Sequence, residues 1–222
     1  IANSEAVLPL AVDVTQGTDC TKAVQQTIDA FNRLDILVNA AGIGMATIKD
    51  DYWNEPVRFW QCDPDKWQRL MDVNWKGAFL MSRASAPHMI AQKWGRIINL
   101  TTSLDTMCFP GYTPYGPSKA ALEAATSGWA KDLKDTGVTA NVLVPGGPVN
   151  TGFIPTGAPF ARDQLIQPEV MAAPLCWLAS DASDGVTDRR FVARNWDPAL
   201  PRAQAASISG GPAAWPNAGA GA

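Results

Sequence analysis

Tyr115 and Lys119 lie four residues apart in Tyr115-Gly116-Pro117-Ser118-Lys119, a spacing that puts both on one face of a helix. An ammonium held near a phenol favours the phenolate and lowers an acid constant that is ordinarily about 10. A phenol tuned in this way can exchange a proton with a carbonyl or alcohol oxygen while a hydride moves at the carbon. Tyr-x-x-x-Lys also occurs on solvated helix faces, so the pair carries weight only in company. Asn39-Ala40-Ala41-Gly42 follows an apolar run, and glycine there lets backbone approach a ligand closely. Asn74 falls on an apolar stripe with Trp67, Leu70, Met71, Ala78 and Met81, where an amide must find partners, either as a satisfied core residue or as part of a site. Thr101, Thr102 and Ser103 bring hydroxyls to the end of a strand pattern, and Pro145-Gly146-Gly147 follows the next one.

The elements that must position these groups alternate between short β-type runs and longer helical patterns. Leu8 to Val14 reads as a strand ending in an acid, Asp13, and Thr21 to Asn32 as an amphipathic helix. Ile36-Leu37-Val38 reads as a strand covered on both faces. After a long loop, Asp63-Pro64 supplies an N-cap acid and a first-turn proline for a helix running towards Ile90. Arg96 to Thr101, Val138 to Val144 and Arg190 to Ala193 read as strands, and Pro114 to Lys134 and Pro168 to Ser180 as helices. This alternation predicts a three-layer α/β/α, doubly wound parallel sheet with right-handed crossovers and its ligands at the strands' carboxyl ends. Residues 1–206 form one such domain in this reading, and 207–222, rich in Gly, Ala and Pro, a mobile tail.

Bulk properties narrow the partners. The 222 residues carry a formal charge of -3 and no block of Lys or Arg, which argues against nucleic acid. Four scattered cysteines and the single His88 give no metal-ligand spacing and suggest reduced thiols. No apolar stretch reaches the length of a membrane span and no signal segment opens the chain, so a cytoplasmic protein is expected.

Taken in order, Asn-Ala-Ala-Gly, the helix asparagine, the strand-end hydroxyl, Tyr-x-x-x-Lys and the Pro-Gly turn resemble the short-chain dehydrogenase/reductase family in its single-domain form, over about residues 8 to 194. The resemblance implies a Rossmann-like NAD- or NADP-dependent oxidoreductase acting on a secondary alcohol or ketone. It implies Tyr115 as general acid/base, Lys119 lowering its pKa and bonding the nicotinamide ribose, and Asn74 holding a relay water. By the same resemblance Asp13 and Val14 contact adenine, Asn39, Ala40, Ala41 and Gly42 lie beneath the adenosine ribose, and Pro145 to Thr151, with Gly146, Val149 and Thr151, meets the nicotinamide amide. The hydroxyl that polarises the substrate falls on Thr102, with Ser103 the alternative. A homodimer or homotetramer built on the helix from Asp63 and the Ala-rich helix from Pro114 is also implied.

Three features depart from the family pattern. Its Gly-rich phosphate turn is missing, so a leading strand-helix-strand unit is expected to be absent, and a chain starting at Ile1 to bind the dinucleotide weakly. The turn Gly146-Gly147-Pro148-Val149-Asn150-Thr151 is one residue longer than the family's commonest form, and Asn195-Trp196-Asp197 replaces the usual glycines after the last strand. Trp53, Trp60, Met107, Phe109, Phe153 and Phe160 are candidates to line a substrate cleft. A silent dinucleotide-binding regulator and an oligomerisation fragment are the rival readings.

Overall fold

The structure, a computed structural model, describes residues 7–155 and 157–215. One sheet runs in the order β1 (Ile36–Asn39), β2 (Gly95–Leu100), β3 (Val138–Val144), β4 (Arg189–Val192) and β5 (Gly210–Pro212). The first four strands are parallel and β5 is antiparallel to β4. The register pairs Asn39 with Asn99, Leu100 with Leu143 and Val144 with Val192, so the carboxyl ends finish side by side. No reversal of strand order lies among the described residues.

Alternate residues on each strand feed two cores, as the pleat requires. Ile97, Val138 and Ala140 pack on one face against Met89 of α3 (Gly77–Gln92) and Ala130 and Leu133, at the end of α5 (Tyr115–Asp132). Ile98, Leu143 and Phe191 pack on the other against Trp177 and Leu178 of α6 (Ala172–Leu178) and Ala206 of α7 (Arg202–Ser209). β3 is buried along its whole length, which accounts for its Val-Thr-Ala-Asn-Val-Leu-Val sequence. α1 (Gly17–Phe31) packs beside α3. Helix α2 (Pro64–Met71) starts at Asp63, whose carboxylate accepts from the backbone N–H groups of Asp65 and Lys66, with Pro64 in the first turn.

Four sequence expectations are corrected. Leu8–Val14 is not a strand: it is irregular up to a turn at Val14, and among the described residues no neighbouring strand offers a ladder to its backbone groups. The helix expected over 168–180 begins as a 3-10 turn, Pro168–Met171, before α6. The Gly/Ala/Pro-rich end is ordered as far as Trp215: Ser207 to Ser209 finish α7, and Gly210–Pro212 pair with β4. Residues 216–222 of the expected tail lie outside the described residues. Finally, the crossovers differ in hand. Strands β1 to β4 advance in one direction, yet α3 and α5 lie on one face and α6 on the other. The connection from β3 to β4 therefore has the opposite hand from the two before it, and residues 145–171 must pass over the carboxyl ends to reach the far face.

The Asp63 cap makes a direct test of how α2 is started. Asp63→Ala is expected to lower the unfolding free energy by about 1 kcal/mol in a urea titration. An unchanged midpoint would show that Pro64 alone sets the helix start.

Candidate active site

The carboxyl ends of β1, β2 and β3 and the first turns of α5 bring most of the expected residues together. Between α2 and α3 the helix widens into one π turn, Asp72–Lys76, with Asn74 at its centre. Such a bulge re-aims side chains within an otherwise continuous helix and is frequent at functional sites. Asn74 is buried; its Oδ1 accepts from Ile43 N at 2.7 Å, and its Nδ2 donates to Ile43 O at 2.9 Å and to Ser118 Oγ at 3.3 Å. The Asn-Ala-Ala-Gly turn is thereby clamped to both helices. A Cβ added at Gly42 would lie 3.2 Å from Asn74 Oδ1 and 3.7 Å from Lys119 Nζ, so glycine keeps the backbone tight against these two groups. Ala40, Ala41 and Gly42 remain exposed beyond β1.

Three consecutive residues at the end of β2 are each held by a charged group. Lys119 Nζ donates to Leu100 O at 2.9 Å. One turn further along α5, the fully buried Glu123 accepts from Thr101 Oγ1 at 2.9 Å and pairs with Arg190 of β4. Arg190 Nη2 in turn donates to Thr102 O at 2.7 Å. Thr102 lies beside the Tyr115 phenol and works to lower its pKa, whereas Ser103 caps α4 (Leu104–Met107), accepting from Thr106 N at 3.2 Å.

Electrostatics here differ from expectation. Burial pushes the Tyr115 phenol up to about 12, against the opposing influence of Thr102. Burial also pushes Lys119 down to about 8. The lowered phenol expected from Lys119 is not seen, because both groups lose hydration and Lys119 commits a donor to the Leu100 carbonyl. Burial raises Glu123 as well, with the Arg190 guanidinium working against it.

Other expected residues stand apart. Asn39 is turned into the fold, donating to Ser82 Oγ at 3.0 Å and Asn99 Oδ1 at 2.7 Å; Asn99 then donates to Thr126 Oγ1 at 2.8 Å. The exposed Asp13 carboxylate accepts from Thr15 N and Oγ1, which lowers its pKa, and Val14 packs on Gly77. Pro145 and Gly146 form a turn beside Arg194, with Gly146 at φ 96° and no room for a Cβ against Arg194 and Val192. Val149 bridges to Ile166, and Thr151 is exposed, its Oγ1 accepting from Phe153 N. Of the aromatic candidates, Phe153 lies 5.5 Å from the Tyr115 ring and Trp53 5.1 Å from Phe160, while Met107 is buried and Trp60 sits exposed against Phe59. Sequence reasoning missed Ser118, Glu123, Arg190, Tyr52 and Tyr112. Glu123 was within reach of it, since it lies four residues past Lys119 on the same helix face.

The residues fit a nicotinamide dinucleotide. Lys119 is a buried ammonium that, among the described residues, bonds one carbonyl, leaving donors for ribose hydroxyls, and a Cβ at the exposed Gly42 would lie 3.7 Å from its Nζ. Residues 7–16, ahead of α1, contain no glycine and offer no phosphate-cradling turn. Among the described residues no His, Cys, Asp and Glu cluster could hold a metal ion, and no helix is long and apolar enough to cross a membrane. A cavity of about 640 Å³, lined by Lys93, Trp94, Arg96 and Asp184 among others, lies at the opposite ends of the strands, away from this chemistry.

A parallel sheet whose carboxyl ends gather a phenol, a hydroxyl and a buried ammonium defines a dinucleotide-dependent oxidoreductase class. The family described as short chain dehydrogenase matches residues 1–155. A 3-oxoacyl-(acyl-carrier-protein) reductase of Synechocystis sp. is 32% identical over 86% of this chain and 76% of its own. Its namesake in Thermotoga maritima is 30% identical over 81% and 72%. The crystal structure of a gluconate 5-dehydrogenase from Burkholderia cenocepacia, in complex with NADP and tartrate, superposes with a TM-score of 0.67 at 28% identity, covering 79% of this chain and 69% of that one. The chain belongs to the short-chain dehydrogenase family, and is an NAD(P)-dependent oxidoreductase acting on CH–OH donors. The family match begins at residue 1 and does not bear out a missing leading unit.

The Glu123–Arg190 pair gives this site its second test. Removing one member leaves the other charge buried alone, so Arg190→Met is expected to destabilise by about 3–5 kcal/mol in denaturant titration. Arg190→Met combined with Glu123→Leu should recover most of that loss. Equal losses in the single and double variants would mean the charges are not what holds β4 to α5.

Proposed function

We propose that the chain interconverts a secondary alcohol and a ketone, with Tyr115 as general acid/base. The observation that carries this is the half-buried phenol of Tyr115 beside Thr102, one helical turn from the buried ammonium of Lys119. In ketone reduction Tyr115 gives its proton to the carbonyl oxygen and Thr102 donates a second hydrogen bond to that oxygen. The bound cofactor supplies the hydride, leaving as NAD(P)+ when the ketone is reduced. Lys119 offsets the charge of the phenolate and bonds ribose hydroxyls. Asn74 fixes Ile43 and Ser118, and so holds the turn and the helix at their working distance; a relay water at the π turn completes its assignment. Ala40, Ala41, Gly42 and the Pro145–Thr151 turn, with Gly146 and Val149, face the cofactor in this reading; Asp13 and Val14 stay assigned to the adenine end. Asn39 acts from below, locking β1 to β2. Four unpaired cysteines suit a reducing compartment, so we place the enzyme in the cytoplasm.

Tyr115→Phe keeps the ring and removes the proton, so turnover should fall about 10²–10⁴-fold while cofactor binding survives. Thr102→Ala should cost more than Ser103→Ala. The pH dependence follows from signs. Tyr115, raised to about 12, stays protonated through neutrality, while Lys119, lowered to about 8, is cationic below that pH and neutral above it. Ketone reduction is therefore expected to be level below about pH 8 and to fall as pH rises through it. Near wild-type turnover in Tyr115→Phe, measured on a substrate the parent reduces, would remove the catalytic assignment.

Assembly is part of the proposal. Trp75 of the π turn stacks on Trp129 of α5 at 6.1 Å, next to the half-exposed Phe79, on a face flanked by the exposed Ala124 and Gly128. We assign this face to a symmetric homodimer or homotetramer. Sedimentation at micromolar concentration should give a multiple of the chain mass, and Gly128→Arg should shift it to monomer. A monomeric parent would contradict the assignment.

A further inference from the structure

Resting on the oxidoreductase reading above, we propose that the substrate is an uncharged ketone or secondary alcohol carrying an aromatic ring beside the reacting carbon. The argument starts from what surrounds Tyr115. Its ring lies 6.4 Å from Tyr112 and 5.5 Å from Phe153. Tyr112 in turn meets Phe109 at 5.3 Å, Tyr52 at 5.8 Å and Trp53 at 6.0 Å, and Trp53 meets Phe160 at 5.1 Å. These rings come from three stretches far apart in sequence: the loop after β1, the segment between α4 and α5, and the passage after β3. Rings that merely packed their own loops down would not need to meet across all three.

Their orientation matters as much as their number. Tyr112–Tyr115, Trp53–Tyr112, Phe109–Tyr112 and Trp53–Phe160 all meet edge to face, at 72°, 74°, 80° and 84°. Edge-to-face contact presents the edge of one ring to the π face of the next; Tyr52 is buried and Trp53, Tyr112 and Tyr115 pack against the same core cluster, so the outer rings are the ones that offer open surface. Phe109, Phe153 and Phe160 are also substantially exposed, at 57%, 39% and 36%. Phe153 beside the half-buried Tyr115, with Phe109 and Phe160 further out along the same run of rings, offers surface to receive a flat apolar group.

Charge points the same way. An anionic substrate needs a committed cation, and the arginine on the passage that carries Phe153 and Phe160 is already engaged. Arg162 donates to Thr151 O at 2.9 Å and Ile154 O at 2.6 Å, where it pins the loop on itself. Lys49, on the loop that carries Trp53, is paired with Glu55. What borders Tyr115 is therefore ring surface and the Thr102 hydroxyl, which suits a neutral aryl ketone better than a sugar acid or an acyl thioester bearing phosphates.

The test compares acetophenone with 2-octanone, which has the same carbon count, and with 5-dehydrogluconate, using the complete protein with NADH and NADPH. Acetophenone should show the highest kcat/KM, about tenfold or more above 2-octanone. Phe160→Leu and Phe153→Leu, conservative changes at exposed positions, should each narrow that preference about 3- to 10-fold. Saturation-transfer NMR with 1-phenylethanol on the NAD(P)+ complex supplies a readout independent of turnover, its signal weakening in Phe160→Leu. A higher kcat/KM for 2-octanone or 5-dehydrogluconate, still abolished in Tyr115→Phe, would overturn the aryl substrate while leaving the oxidoreductase reading intact. Absence of both acetophenone turnover and 1-phenylethanol binding would overturn it too. Turnover that survives in Tyr115→Phe would instead strike at the general acid.

Discussion

A buried lysine loses its hydration and must find hydrogen-bond acceptors or give up its charge, and much of this site follows from how Lys119 is held. The Leu100 carbonyl that accepts from its Nζ is the last of β2. That bond fixes the start of α5 to the end of a central strand, and Tyr115 lies one turn earlier on the same helix. Glu123, one turn later, reaches the next residue, Thr101, and through Arg190 the one after it. Helix and strand end are thus joined along a single line of contacts, and the Thr102 backbone beside Tyr115 is held by a charged bond where hydration is largely lost. Such bonds are strong when made and costly when one partner is lost.

The same dryness sets the acid constants. With hydration removed from both groups, neither the phenolate nor the ammonium is favoured in the protein alone, and Tyr115 rests as an acid. This is the state that the proposed ketone reduction needs before proton transfer. Burial pushes the two pKa values apart, Tyr115 up to about 12 and Lys119 down to about 8, so the cost of the phenolate afterwards falls on Lys119 and on whatever the bound cofactor and substrate add to the site.

Sequence made the framework legible where a single physical rule was at work. β3 was readable to the residue because burial on both faces demands a continuous apolar run, and Asp63-Pro64 marked the start of α2 because a capping carboxylate followed by proline admits few other structures. The spacing of Tyr115 and Lys119 was equally plain. What failed depended on distant chain. Leu8–Val14 has strand composition, but a strand exists only where a neighbour supplies a ladder. The Gly/Ala/Pro end looked mobile because small residues bury little, yet Gly210 and Gly211 lie against β4, and a Cβ at Gly210 would strike Phe191. Asn39 shows the limit most clearly. Its type and position fit a ligand contact, and only the placement of Ser82, Asn99 and Thr126 shows the amide turned inward to join two strands and a helix.

The reversed hand of the last parallel crossover explains why the substrate is harder to read than the reaction. To change faces, residues 145–171 must cross over the carboxyl ends, which lays them above the phenol, and Phe153 comes to rest between Tyr115 and Gly44. A Cβ at Gly44 would lie 2.6 Å from that ring, so glycine at one end of the site and phenylalanine at the other are fitted to each other. The strand ends and α5, to which the proton transfer is assigned, obey fold-wide rules of pleat, register and helical period. The passage above them obeys only local fit: Arg162 to its own carbonyls, Val149 to Ile166, ring against ring. Residues under fold-wide rules announce themselves in sequence, whereas those under local fit acquire meaning once their neighbours are placed. Chemistry and specificity here therefore reside in layers that follow different constraints, and the lower one can be kept while the upper is rebuilt for another substrate.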